Sequence, residues 1–343
     1  MLRIPVNNTQ KENIENIYRQ WIKKHLQSFK EIIKNDEKLY YIIFGKNEYN
    51  EKDLLDFLLM NAKNLTAVKE KCDAYNTIKI KEETKDYLYS RHKNFRSSQT
   101  AKIVKELDIL SCPYCNQNDL ITYQKKGKRK FIGDLDHFYN KSEYPELMIC
   151  LYNLIPSCKV CNQSKFKSNK KIINPYDLSY KMNITFKTTF DYECKLDYLY
   201  GMSNHFKIII DKSKLSNEEL NENEIFELEE RYKHCKDYVK EIILKTRAYP
   251  HIYIKKMSEM FGGVSEEKLM QYIFSFRDDH LKRSFSKFNQ DIMNEFKEKG
   301  FNCMLYREEP FMYSKDSITY KEHVMVFKNG IFKRKCEIHT FEV

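Results

Sequence analysis

The feature that most limits how this chain can fold is a pair of Cys-x-x-Cys turns, Cys112/Cys115 and Cys158/Cys161. One such turn presents two thiolates to a tetrahedral ion, and two together complete a closed structural zinc site. The intervening loop is longer than in a simple zinc ribbon, which leaves room for an inserted element. The competing readings are four buried thiols or two redox pairs. Disulfides fit less well, because nothing in the chain marks it for export. Cys72, Cys150, Cys194, Cys235, Cys303 and Cys336 have no close cysteine neighbour and read as small hydrophobes.

The insertion carries its own chemistry. Arg129 to Phe138 mixes β-branched, aromatic and polar residues as a half-buried strand does, and it passes through Asp134, Asp136 and His137. A neutral imidazole can take a proton from water, and a carboxylate is a hard oxygen ligand for Mg²⁺. Asn153 opens an apolar run, Leu154-Ile155-Pro156, that returns towards the second cysteine pair. From Cys158 the pattern predicts a basic helix with Asn162 and Lys165 on adjacent turns. A hairpin followed by that helix can close around one cation and one phosphate.

These stretches, CPYC, DLDH, NLIPSCKVCN and the Lys165 that follows, resemble the HNH endonucleases in their zinc-stapled variety. The resemblance implies the ββα-metal, or His-Me finger, fold. It implies His137 as general base, Asp136 and Asn162 as ligands of a catalytic Mg²⁺ or Mn²⁺, and Asn153 as the brace of the loop that holds the base. It makes Cys112, Cys115, Cys158 and Cys161 the Zn²⁺ ligands. Asparagine in place of histidine at the third motif position implies an oxygen-preferring ion. Asp134 shares the strand face of Asp136, so either carboxylate is a candidate ligand. One-metal hydrolysis leaving 5′-phosphate and 3′-hydroxyl ends is implied, with activity falling at acid pH. The match covers Cys112 to Lys165, with weaker echoes at Phe95–Leu107, Ile173–Tyr176 and Arg231–Asp237. The whole pattern also resembles bacterial anti-phage effectors, which implies duplex DNA as substrate and an ATPase as partner. An RNA-cleaving nuclease and a non-catalytic zinc module that binds nucleic acid are the alternatives. Asp136, His137 and Asn162 together speak against the last, since binding needs none of them.

A net charge of +11 is compatible with a polyanionic partner. Arg129 and Lys130, in the run Lys125–Lys130, and Lys159, Lys165 and Lys167, on the basic helix, are candidate phosphate contacts; a solvated face is the usual fate of such runs, but their place next to Asp-His and Cys-Asn favours phosphate. No apolar run is long enough to span a bilayer, so a cytoplasmic protein is expected. No Walker-type loop is present, and ATP hydrolysis is not expected.

The expected fold class is α+β, with mainly helical flanks around the zinc-stapled ββα-metal nuclease module and a short C-terminal β-hairpin region. The divisions are 1–108, 109–178, 179–300 and 301–343. In the first, Thr9-x-x-Glu12 predicts a capping box, followed by one helix with Ile14, Ile17, Trp21, His25, Phe29 and Ile32 on its core face. Ser90–Arg96 reads as a loop, either solvated or facing a DNA backbone. In the third, short strands are expected at Asn183–Phe190, Cys194–Tyr200 and His205–Ile210. A long helix capped at Ser216 runs to Pro250, with further helices at Lys256–Phe261, Glu266–Phe276 and Phe288–Lys299. Lys282–Lys287 is a solvated turn or a second phosphate-facing patch. Asn329-Gly330 predicts a hairpin between Ile318–Phe327 and Ile331–Ile338.

Overall fold

The computed structural model describes residues 2–189, 201, 203–298, 312–313, 317–328 and 331–342. The fold is α+β, with helices and a few small antiparallel sheets. The chain forms two compact units. One is Met1–Ile184 with Lys212–Leu228 and Asp278–Phe285; the other is Thr185–Asp211 with Glu229–Arg277 and Ser286–Val343.

The first unit begins with α1 (Asn8–Lys23), α2 (Leu26–Asn35), α3 (Glu37–Phe44), α4 (Glu51–Leu58), α5 (Ala62–Ala74), α6 (Glu82–Ser98) and α7 (Thr100–Leu107). The cap of α1 is Asn7, not Thr9. Asn7 Oδ1 accepts from the Gln10 N–H at 2.9 Å, and Gln10 Oε1 accepts from the Asn7 N–H at 3.1 Å, the reciprocal pair that a capping box requires. The expected single helix breaks at His25, a half-buried junction residue whose Nδ1 lies 2.9 Å from an Arg91 nitrogen. Tyr18 rather than Ile17, and Ile33 rather than Ile32, enters the core. Ser90–Arg96 is helix, not loop. Leu88, His92 and Phe95 recur at spacings of four and three, which puts them on one buried face of α6. Phe95 meets Tyr18 at 5.4 Å and Trp21 at 4.9 Å between ring centroids, in edge-on geometries that favour aromatic pairs.

The N-terminal helices pack directly on the segment that holds the cysteines. Tyr18 donates its hydroxyl proton to the Ile149 carbonyl, and Tyr152 donates to Glu15 Oε1 at 3.1 Å. Beyond α7 come β1 (Ile121–Lys125) and β2 (Lys128–Ile132), joined by Lys126-Gly127. Both turn residues have positive φ, 48° and 71°, as a tight two-residue hairpin demands. β3 (Asp134–His137) then pairs antiparallel with β4 (Leu154–Ser157), Asp134 opposite Ser157 and His137 opposite Leu154, and α8 (Lys159–Phe166) follows. The stretch expected as one strand is therefore two. Gly133 separates them, at φ 155°, where a Cβ would sit 2.4 Å from the Phe131 ring. The break lets β2 serve the outer hairpin while β3 serves the site.

In the second unit, β5 (Phe186–Thr189) pairs with β6 (Lys207–Ile210), as expected; Cys194–Tyr200 lies outside the described residues. The long helix expected after Ser216 is three: α9 (Asn217–Ile225), which belongs to the first unit, then α10 (Leu228–Tyr232) and α11 (Lys236–Ala248). The Ser216 capping box is present, but Glu227 takes a left-handed φ of 49° and ends the first piece. Pro250 both stops α11 and caps α12 (His251–Met260), a position where its missing N–H costs nothing. α13 (Glu266–Ile273) and α14 (Ser286–Glu298) follow. Phe186, Tyr232 and Phe288 form the ring cluster of this unit. On α14, Asp291 accepts from the Phe186 N–H at 3.0 Å and Glu295 from the Thr188 N–H at 2.7 Å, which satisfies one edge of β5. β7 (Met312–Tyr313), β8 (Ser317–Lys328) and β9 (Ile331–Glu342) form the last sheet. Lys328 pairs with Ile331; the Asn329-Gly330 turn lies outside the described residues.

Candidate metal centre and active site

The four cysteines meet. Their sulfurs all lie within 4.8 Å of one another and all four residues are buried. Zinc–sulfur bonds of about 2.3 Å place tetrahedral sulfurs about 3.8 Å apart, so only a small contraction is needed. Amide donors surround the cluster. Cys112 Sγ accepts from the Cys158 N–H at 3.3 Å, Cys115 Sγ from the Gln117 N–H at 3.4 Å, and Cys158 Sγ from the Asn118 side-chain amide at 3.2 Å. Hydrogen bonding with Cys112 draws the Cys158 thiol below its ordinary range, whereas burial pushes that of Cys112 up. A buried four-sulfur set ringed by N–H donors fits a structural ion such as zinc. The knuckle is also clasped from outside: the Leu281 carbonyl accepts from the Leu110 and Ser111 N–H groups at 2.8 and 3.0 Å. Lys282, one of the cations expected to be solvated or to face phosphate, pairs instead with Asp108.

β3, β4 and α8 position the other candidate residues. His137 is buried, and its Nε2 lies 3.0 Å from the Met148 carbonyl. A carbonyl only accepts, so Nε2 carries the proton and the lone pair is on Nδ1. Burial holds the His137 imidazole well below its ordinary pKa, with His92 and Lys141 adding to the effect. Asn153 is fully buried. It accepts from the Tyr139 N–H at 2.8 Å and donates to the Leu147 carbonyl at 2.9 Å and the Tyr139 carbonyl at 3.2 Å. It thereby ties both ends of the loop that starts at His137.

The carboxylates on β3 are treated differently. Asp134 accepts from Arg96 at 2.7 Å and from the Asn162 amide at 3.0 Å. Asp136 is nearly inaccessible; its Oδ2 accepts from the Tyr114 hydroxyl at 2.6 Å and faces the Lys165 ammonium at 3.3 Å. Burial raises the Asp136 pKa, opposed by Lys165 and Tyr114. Asn162 is thus in direct contact with Asp134, while Asp136, His137 and Asn162 line one cleft of about 1410 Å³. Asp136 Oδ1 and Asn162 Oδ1 are the oxygens of these two residues that could meet a cation, the first of them on a nearly inaccessible carboxylate.

The basic candidates divide. Lys130, Lys159 and Lys167 are exposed and Arg129 is half-exposed, with no ion pair among the described residues. Lys165 is turned inward, its ammonium 2.7 Å from the His137 carbonyl as well as beside Asp136. The sequence reading gives Tyr114 no role, and takes His92 only as part of the Ser90–Arg96 run, a loop that is solvated or faces a DNA backbone. Tyr114 sits inside the first Cys-x-x-Cys turn, stacked on Phe226 at 4.6 Å; an aromatic between two ligands was its only signal. His92 is buried on α6 with its ring 4.5 Å from that of His137, and neither nitrogen is hydrogen-bonded among the described residues. Its helical spacing with Leu88 and Phe95 was visible, but not what it faces.

Comparison with protein-family models, with curated proteins and with solved structures finds no match to this chain. No helix among the described residues is long and apolar enough to cross a membrane.

Proposed function

We propose that the first unit is a metal-dependent endonuclease of the HNH type that hydrolyses phosphodiester bonds of DNA. The observation that carries this reading is the state of His137. Its Nε2–H is held by the Met148 carbonyl, which leaves the lone pair on Nδ1, and His137 lines a cleft together with Asp136 and Asn162. That is the arrangement a general base requires: one nitrogen anchored, the other able to take a proton from water. A hairpin of Asp134–His137 with Leu154–Ser157, followed by a helix carrying Asn162, supports the reading further.

Asp136 and Asn162 would hold a divalent cation such as Mg²⁺ or Mn²⁺, which when bound stabilises charge developing on the phosphate. His137 accepts the proton of the attacking water. Asn153 fixes the loop that follows the base, and Lys165 holds both the His137 carbonyl and the Asp136 carboxylate in place. The four cysteines bind the structural zinc that joins the first knuckle to the start of α8. Lys159, Lys167, Arg129 and Lys130 meet the phosphate backbone. The flanking helices and the motif pattern suit an effector of bacterial anti-phage defence acting in the cytoplasm with an ATPase partner.

The test is His137→Ala. With Mg²⁺ or Mn²⁺ present, nicking of duplex DNA should fall by roughly 10²–10⁴-fold while affinity for the same duplex barely changes. Equal cleavage by variant and wild type refutes the assignment of the base. Cleavage of RNA alone moves the substrate to RNA and leaves the chemistry standing.

A further inference from the structure

His92 is a polar side chain in an apolar place. It lies on the core face of α6 between Leu88 and Phe95 and is only 5% exposed. Neither Nδ1 nor Nε2 has a hydrogen-bond partner among the described residues. Buried polar atoms are ordinarily paired, and an exception calls for a specific explanation. A leucine or phenylalanine would continue the stripe without orphaned nitrogens. The surroundings indicate what the imidazole meets instead. It lines the same cleft as Asp136, His137, Asn162 and Lys165, and its ring stands 4.5 Å from that of His137, tilted by 53°. Arg96, one turn further along α6, and Lys141 line the cleft as well. Arg96 already pairs with Asp134, so the imidazole N–H and the Lys141 ammonium are the groups of this wall that suit an anion.

We propose that His92 is a substrate-contacting residue of this site, its ring N–H donating to a phosphate oxygen of the nucleic-acid strand held between α6 and β3. The inference rests on the nuclease reading above and extends the site to the N-terminal helices, which the Asp-His and Asn motifs do not include. It also assigns those helices a function: α6 and α8 both line the cleft, so a strand entering it would meet side chains from each.

The experiment uses the full chain with its zinc, a short fluorescein-labelled DNA duplex and an RNA duplex of the same sequence. Affinity, KM, kcat and the thermal midpoint are measured for wild type, His92→Phe and His92→Gln. The phenylalanine variant fills the space without the N–H. It should melt at or above the wild-type temperature, yet kcat/KM should fall by roughly tenfold or more, chiefly through KM, as a lost hydrogen bond to a charged group does. The glutamine variant restores a donor and should recover part of that loss. Two results overturn the proposal: wild-type binding and cleavage by His92→Phe, or a loss of activity that tracks a lower melting temperature in both variants. If wild type neither binds nor cuts either duplex, the nuclease reading fails and this inference falls with it; if wild type cuts and His92→Phe cuts equally, only the inference falls.

Discussion

Replacing Asn153 tests how the site is held together. The residue is fully buried and makes three side-chain hydrogen bonds: one accepted from the Tyr139 N–H at 2.8 Å, and one each donated to the Leu147 and Tyr139 carbonyls at 2.9 and 3.2 Å. Asn153→Ala deletes all three and leaves backbone groups behind without partners. At about 1 kcal/mol net for each bond, the loss is about 3 kcal/mol. Asn153→Asp is nearly isosteric and keeps the acceptor for Tyr139, but it points a second oxygen at two carbonyls. Burial and those carbonyls raise that carboxyl's pKa in the folded state. The folded state therefore binds its proton more tightly than the unfolded state does. The aspartate variant should be relatively stable in mild acid and lose stability as the pH rises through the raised value. Urea unfolding followed by fluorescence of Trp21, the only tryptophan and 2% exposed, reports both effects. A loss below about 1 kcal/mol for Asn153→Ala would refute the brace. So would identical behaviour of the two variants at neutral and mildly acid pH.

The purified chain should carry one zinc equivalent, and Cys158→Ser should lose it and melt at a lower temperature, since structural zinc contributes folding energy directly; metal retained with an unchanged melt contradicts the four-cysteine site. Burial, with Lys141 and Arg96 adding, lowers the His92 pKa to about 4, so the unfolded chain takes up that proton first as the pH falls. The His92-dependent part of stability is complete above the unfolded pKa of about 6.5, and about 2 kcal/mol of it is lost by about pH 5. The stability difference between wild type and His92→Phe should show that slope in urea unfolding, and a flat difference would refute it. Lys165→Met should destabilise the fold by about 3 kcal/mol, because Asp136 stays buried without its cation. An unchanged melt with a reduced salt slope of nucleic-acid binding would return Lys165 to the phosphate backbone.

Local chemistry made much of this protein readable in advance. Two Cys-x-x-Cys turns have few physical uses, and their sulfurs do converge. The β3–β4–α8 order follows from residue types at short range: an Asp-His strand, an apolar return ending in Pro156, and a cap at Cys158 whose sulfur accepts from the Cys161 N–H. The helix ends were less legible. Asn7 and Thr9 are both able caps, and the choice depended on where α1 had to sit against Glu106 and Leu107, whose carbonyls accept from the Gln10 amide. The break at His25 and the left-handed turn at Glu227 likewise have no strong local signal, because packing selects them. The partners of the charged groups were decided by tertiary structure alone. On a regular strand Asp134 and Asp136 look equivalent, yet Arg96 reaches one from α6, while Tyr114 and Lys165 reach the other from the knuckle and from α8. Lys165 reads in sequence as one more cation on a basic helix, whereas in the fold its ammonium lies against a carbonyl and a buried carboxylate. His92 lies 45 positions before His137 in the chain, with its ring 4.5 Å away in the fold. Periodicity assigns such a residue to a helix face; only the approach of that face to β3 brings its ring beside His137, because pairing over that separation is set by how the helices close on the strand and not by anything either segment encodes alone.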